Sequence, residues 1–286
     1  WERHFGPASS MRAATSVFRV QQILLARFDE AESDDDLVRA RIEFQRGDVA
    51  MRLGRLDAAL TALDDAVLLA QRSEALPQER TRYLARRGSV RRLRGDLTGS
   101  VADFDAARAQ LELAEAADGE ADFWRARVAD ESSLTALALG DYEEATYAIT
   151  HALAGFRNYA AARGTEADYR VLRATLNLAV AYACRGLALP YRRPFPTLRE
   201  NLDSPDLRHA RSRIEEVLTS LTGSGVHRDF LHFQARLLAS QFAITGPEAL
   251  KHAEAALANA NFDYQRALAL SARAAAHLRL QEPEAA

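Results

Sequence analysis

One phrase recurs along this chain. It reads Gly54-Arg55-Leu56-Asp57-Ala58-Ala59, then Gly95-Asp96-Leu97-Thr98-Gly99-Ser100, then Gly140-Asp141-Tyr142-Glu143-Glu144-Ala145. Each copy closes one apolar helical stretch and opens another. Glycine reaches the left-handed backbone region that ends a helix. A small residue five positions later lets the second helix lie close against the first. The glycines stand 41 and 45 residues apart. A repeat of this length predicts helical hairpins stacked in a row, each too small to hide its apolar faces alone.

The rest of the chain reads as helix in the same way. Ser9 and Ser10 are candidate caps for a first helix, with Met11, Ala14, Phe18, Leu25 and Phe28 along one face. Residues 1–32 are therefore expected to form an N-terminal capping helix. Ser33 followed by Asp34, Asp35 and Asp36 suits a capped, acidic helix start. Regular repeats are expected over 33–186. Four of the eight prolines then fall between Pro190 and Pro205, which no helix interior tolerates, so 187–204 is read as an irregular insertion. Residues 205–286 read as degenerate repeats and a C-terminal helix continuing the same solenoid. The fold class that follows is all-α: a right-handed superhelical array of antiparallel helix pairs, about twelve helices in all.

Composition sets further bounds. A hydrophobic fraction of 48% in 286 residues supplies a sizeable core. A formal charge of −3 does not make the whole chain a magnet for nucleic acid. The single cysteine, Cys184, rules out an intrachain disulfide and fits a reducing, cytoplasmic compartment. No apolar run is long enough to span a bilayer, and residues 1–10 show no signal-like stretch. The chain opens on Trp1, as expected of a fragment or of a protein whose start has been removed. Of 37 basic residues, Lys251 is the only lysine. That pattern fits a GC-rich bacterial gene, and it leaves arginine's planar, two-pronged fork as the recurring cation.

The spacing Asn177-Leu178-Ala179, Tyr182, Gly186 resembles the first helix of a tetratricopeptide repeat. Gly47 and Gly88 occupy the matching small-residue place in the first two repeats. Second helices match through Ala59, Leu63 and Ala66, through Phe104 and Ala107, and through Ala145, Ile149 and Ala152. The resemblance covers roughly residues 37 to 280, most clearly to 186. The units here run to 41–46 residues against about 34 in the standard repeat. In that length they resemble the repeats of kinesin light chains, of bacterial peptide-sensing regulators, and of the sensor domains of signal-transducing ATPases. The resemblance implies a concave binding surface and no catalytic residues.

One register stands out on that surface. Thirteen residues ahead of the four glycines 54, 95, 140 and 186 come Arg41, Arg82, Arg127 and Arg173. In tetratricopeptide repeats this place usually faces the groove, and four guanidiniums along it would suit carboxylates or phosphate. The alternative is that each arginine pairs with an acid such as Glu43, Asp48, Asp130 or Glu131 and ties the stack together. The candidate groove set is Arg41, Phe44, Asp48, Met51, Arg82, Arg86, Ser89, Arg92, Arg127 and Arg173, with Phe44 and Met51 as its apolar contacts. Tyr191, Arg192, Arg193 and Phe195 of the insertion are candidate further contacts. Arg80, Arg87, Arg91 and Arg94 fall on one side of their helix, either as an anion patch or as a face paired with Asp64, Asp65 and Asp103.

The motifs of common chemistries are missing. No phosphate loop, dinucleotide fingerprint, zinc spacing, calcium loop or nucleophile triad is present. No catalytic residue, metal site or cofactor is assigned. The expected function is a non-enzymatic peptide- or protein-interaction module, the sensor or scaffold part of a bacterial regulator that takes an acidic segment. Neither a membrane nor, within this segment, nucleic acid is expected as a partner, and a fused effector domain is. The alternative is a small-molecule-sensing domain of a larger signal-transducing ATPase or transcription regulator.

Overall fold

The computed structural model describes residues 34–113, 119–163, 169–187, 204–221, 226–260 and 263–281, together with the isolated helical positions 20, 23, 26 and 27. The 1–32 helix lies almost wholly outside the described residues. So does 188–203, and with it Tyr191, Arg192, Arg193 and Phe195. The described residues are all-α. Eleven helices follow in order: α1 (Asp36–Arg52), α2 (Leu56–Arg72), α3 (Pro77–Arg94), α4 (Leu97–Leu113), α5 (Gly119–Leu139), α6 (Tyr142–Ala162), α7 (Tyr169–Leu187), α8 (Pro205–Ser220), α9 (Val226–Phe242), α10 (Gly246–Ala258) and α11 (Asp263–Gln281). They pack as successive pairs, α1 with α2 through α9 with α10, and α11 lies against α10.

Three bends are built alike. Gly54, Gly95 and Gly140 have φ of 74°, 91° and 83°. The amide after each glycine donates to the carbonyl five residues back: Arg55 to Ala50, Asp96 to Arg91 and Asp141 to Ala136, each at 2.9 Å. This is the closure that satisfies orphan carbonyls at a helix C-terminus. Five residues past each glycine, Ala59, Ser100 and Ala145 are completely buried. Small side chains there bring the paired helices together. Gly47 does the same from the facing helix: a Cβ on it would stand 2.6 Å from Leu63 Cγ and 3.2 Å from the Ala59 carbonyl.

Gly186 departs from the expected bend. It lies inside α7, one residue ahead of its last, Leu187, and is not among the positive-φ glycines. A Cβ at this position would come within 3.0 Å of Asp206 Cβ and Ser204 Oγ, so its role is close approach to the start of α8. α7 and α8 still pair across the insertion. α1 is capped by Asp35, which accepts from the Leu37 amide at 2.8 Å; Ser33 lies outside the described residues. Ser204, Asp141 and Thr245 cap α8, α6 and α10.

Helices are shared between neighbouring cores. α7 gives Ala174, Leu178 and Ala181 to the cluster it forms with α5 and α6, and Leu172, Leu176, Ala179 and Ala183 to the cluster with α8 and α9. α9 repeats the pattern, with Leu231 and Ala235 on one side and Phe233 and Leu237 on the other. Stacking therefore continues one apolar interior along the chain. Among the described residues no helix is long and apolar enough to cross a membrane.

Gly47→Ala tests the close approach. Overpacking costs about 1–3 kcal/mol and the gain in helix propensity returns about 1 kcal/mol. Urea denaturation is expected to show a net loss of up to about 2 kcal/mol, with Gly47→Val losing more. Equal stability of Gly47→Ala and wild type would mean that Leu63 yields freely.

Candidate functional site

The first helices of the first four hairpins, α1, α3, α5 and α7, carry the arginine register on one side of the array. It is not a bare row. Arg41 Nε donates to Glu79 Oε1 at 2.9 Å and joins α1 to α3. That hydrogen bond, with the Glu79 charge, raises the Arg41 pKa. Arg127 Nη2 lies 3.3 Å from Glu131 Oε1, one turn along α5. Arg173 reaches back from α7 to Asp130 by a short ion pair and lies 3.7 Å from Glu131 Oε1. Arg82 differs from the other three. Its guanidinium sits 4.3 Å from the centroid of the Phe44 ring, and it has no carboxylate within ion-pair distance among the described residues. Burial lowers its pKa.

Asp130 and Glu131 form the centre of the network. Asp130 is completely buried and accepts from Asn177 Nδ2 at 2.9 Å. The Glu131 side chain is 4% exposed and accepts from Ser89 Oγ at 3.3 Å. Burial by itself would raise the Glu131 pKa. The nearby charges of Arg127, Arg173, Arg86 and Arg92 outweigh it and hold the carboxyl at about 2, below its ordinary 4.5. Arg127, the largest contributor among those four, is itself lowered by burial. A second carboxylate, Asp48, sits between Arg52 Nε at 2.8 Å and Arg86 Nε at 3.0 Å.

Several candidate residues are less available than the sequence suggested. Phe44 and Met51 are core residues, 2% and 3% exposed, and do not offer an apolar lining. Phe44 stacks on Tyr83 with centroids 4.9 Å apart, and Arg86 Nη1 points at Met51 Sδ at 3.9 Å. Asp48 and Ser89 are buried as well. Arg92 remains on this side of α3; its Nε is buried without a hydrogen-bond partner, and no carboxylate lies within ion-pair distance of it among the described residues. The other side of α3 is not an anion patch. Arg87 grips Asp103 with Nη2–Oδ1 at 2.6 Å and Asp64 at 2.9 Å. Arg91 reaches Asp103 at 3.1 Å, Arg94 reaches Asp57 at 2.8 Å, and Arg80 caps the carbonyls of Ala70 and Ser73.

Sequence reasoning missed Glu79, Arg52 and Asn177, and placed Asp130 and Glu131 only as alternatives. A signal was present. Nine residues ahead of the four glycines stand Gln45, Arg86, Glu131 and Asn177, a second polar row one turn along from the arginines.

Pairing on this side is uneven. Arg41, Arg46, Arg52, Arg86, Arg127 and Arg173 meet Glu43, Asp48, Glu79, Asp130 and Glu131. Arg82 and Arg92 stand on the same side with no carboxylate within ion-pair distance among the described residues. These two cations stand out in a chain whose formal charge is −3. Among the described residues no three His, Cys, Asp or Glu side chains gather as a metal site.

No family model matches the sequence, and neither does any curated protein. Solved structures do share its architecture. The crystal structure of BtubC (BKLC) from P. vanneervenii is 14% identical, with 94% of each chain covered and a TM-score of 0.57. The apo form of the quorum sensor NprR from B. thuringiensis is 15% identical, covers 94% of this chain and 67% of its own, and has a TM-score of 0.60. At this identity the likeness is one of fold: a tetratricopeptide-like array of helix pairs.

The depressed Glu131 carboxyl makes stability depend on acid. Its folded pKa lies below its unfolded one, so its contribution is complete above about pH 4.5 and is lost as pH falls toward about 2. Urea denaturation is expected to show the wild-type advantage over Glu131→Gln shrinking by about 3 kcal/mol across that interval. Parallel pH profiles for the two proteins would contradict the assignment.

Proposed function

We propose that this chain is a non-catalytic binding module, the sensor or scaffold part of a bacterial regulatory protein, that takes a peptide or protein segment carrying acidic groups along α1, α3, α5 and α7. The observation that carries this reading is that Arg82 and Arg92 have no carboxylate within ion-pair distance among the described residues, on a side where Arg41, Arg127 and Arg173 each have one. A stack held together by ion pairs alone needs no such cations. Cations of this kind, partly desolvated, favour ligands of the other sign and speed their encounter. Most of the arginine register is spent within the stack: Arg41, Arg127 and Arg173 already hold Glu79, Glu131 and Asp130. Arg82, its fourth member, and Arg92, outside the register on the same helix, are left for a ligand.

The likeness to a quorum sensor supports a second reading, a domain that senses a small signal molecule on behalf of a larger protein. The same cations would then meet an anionic small molecule.

Fluorescence anisotropy with labelled acidic, neutral and basic peptides separates these outcomes. The acidic peptides are expected to bind, with affinity falling steeply as salt rises. Arg82→Glu with Arg92→Glu is expected to weaken them at least tenfold while circular dichroism shows unchanged helicity. Equal binding of acidic and basic peptides, or no effect of the double reversal, would remove the proposed site.

A further inference from the structure

We infer that the acidic ligand is an extended segment carrying two carboxylates four or five residues apart, one for Arg82 and one for Arg92, with uncharged residues between; this rests on the reading of the same side as an acid-binding surface. The two arginines lie ten residues apart on α3. At helical rise that is about 15 Å, and an extended chain advancing about 3.3 Å per residue covers it in four or five steps.

Both guanidiniums are held in place. The Arg82 guanidinium carbon sits over the Phe44 ring, and Phe44 is held in the core against Tyr83. A cation held over a ring keeps N–H donors that can meet a carboxylate in two-pronged geometry. Arg92 is buried at Nε, which has no hydrogen-bond partner, so its stem is packed, and no carboxylate lies within ion-pair distance of it among the described residues. Anchors that cannot wander impose a spacing, and less side-chain entropy is lost when they bind.

The stretch between the anchors is electrically quiet. Arg86, the cation between them on α3, is drawn toward α1 by Asp48 at 3.0 Å. Ser89 is buried on Glu131. Beyond the anchors, Arg41 is matched by Glu79, and Arg127 and Arg173 by Glu131 and Asp130. The pattern to be complemented is thus acid, neutral, acid. A helical ligand fits less well. It would need an apolar stripe to dock on, and the apolar residues of this side, Phe44 and Met51, are buried.

The test is a series of end-blocked peptides in a Ser/Thr/Ala background, each with two glutamates spaced i+2, i+4, i+5 or i+10, titrated against the wild-type chain by anisotropy. The i+4 or i+5 peptide is expected to bind about tenfold tighter than the i+2 and i+10 peptides. Arg82→Gln and Arg92→Gln, each checked for helicity, are each expected to erase that advantage and leave the mismatched peptides unchanged. Binding of all four with equal affinity overturns the spacing while leaving the acid-binding surface standing. Preference for i+10 overturns the extended conformation in favour of a helix. Absence of binding by every peptide overturns the acid-binding surface itself.

Discussion

The array depends on how closely two helices can approach within a hairpin. Gly47 faces Leu63 and the Ala59 backbone at distances that leave no room for a methyl group. Ala59, Ser100 and Ala145 are fully buried just past the three left-handed glycines. A tight pair presents ridges on both outer sides, and those ridges meet the next pair. The side chains of α1, α3, α5 and α7 are brought within reach of one another only because each has a partner helix tight against its back. The ion pairs that join α1 to α3 and α7 to α5 are consequences of that packing.

The charged seam is an expensive structure. Asp130 and Glu131 are removed from water almost completely, and a buried ion pair stabilises only when its geometry recovers the cost of desolvation. Here the recovery comes from several arginines converging on one carboxylate, supplemented by Ser89 and Asn177. An apolar seam of similar volume would serve stability as well or better. What the ionic seam adds is positive charge at fixed points, which an apolar seam lacks. Three of the four register arginines, Arg41, Arg127 and Arg173, are committed to the stack, and Arg82 lies over Phe44 instead.

The local parts of the fold were legible in the sequence, because glycine at a left-handed position and a small residue five places on are local requirements. Gly54, Gly95 and Gly140 announced their bends in this way. Gly186 shows where the signal fails. A glycine needed for close approach to a following helix carries the same spacing as one needed for a turn, and only packing separates them. The arginine register was legible too, but its partners were not. Glu79 is 38 positions from Arg41 and Asp130 is 43 from Arg173, so which acid each arginine meets is decided by the offset between hairpins. Phe44 and Met51 looked like groove residues because their register is right. They are buried because neighbouring side chains, Tyr83 and Arg82 over Phe44 and Arg86 beside Met51, cover them.

The double duty of α7 carries its own consequence. One of its faces completes the interior of the third hairpin and the other completes that of α8 and α9. A chain assembled this way has no natural point of division in its middle. Cutting on either side of α7 would strip apolar surface from a helix still needed on the other, so the halves are not autonomous pieces. Loosening of either cluster therefore removes support from the one beside it, through the helix they share.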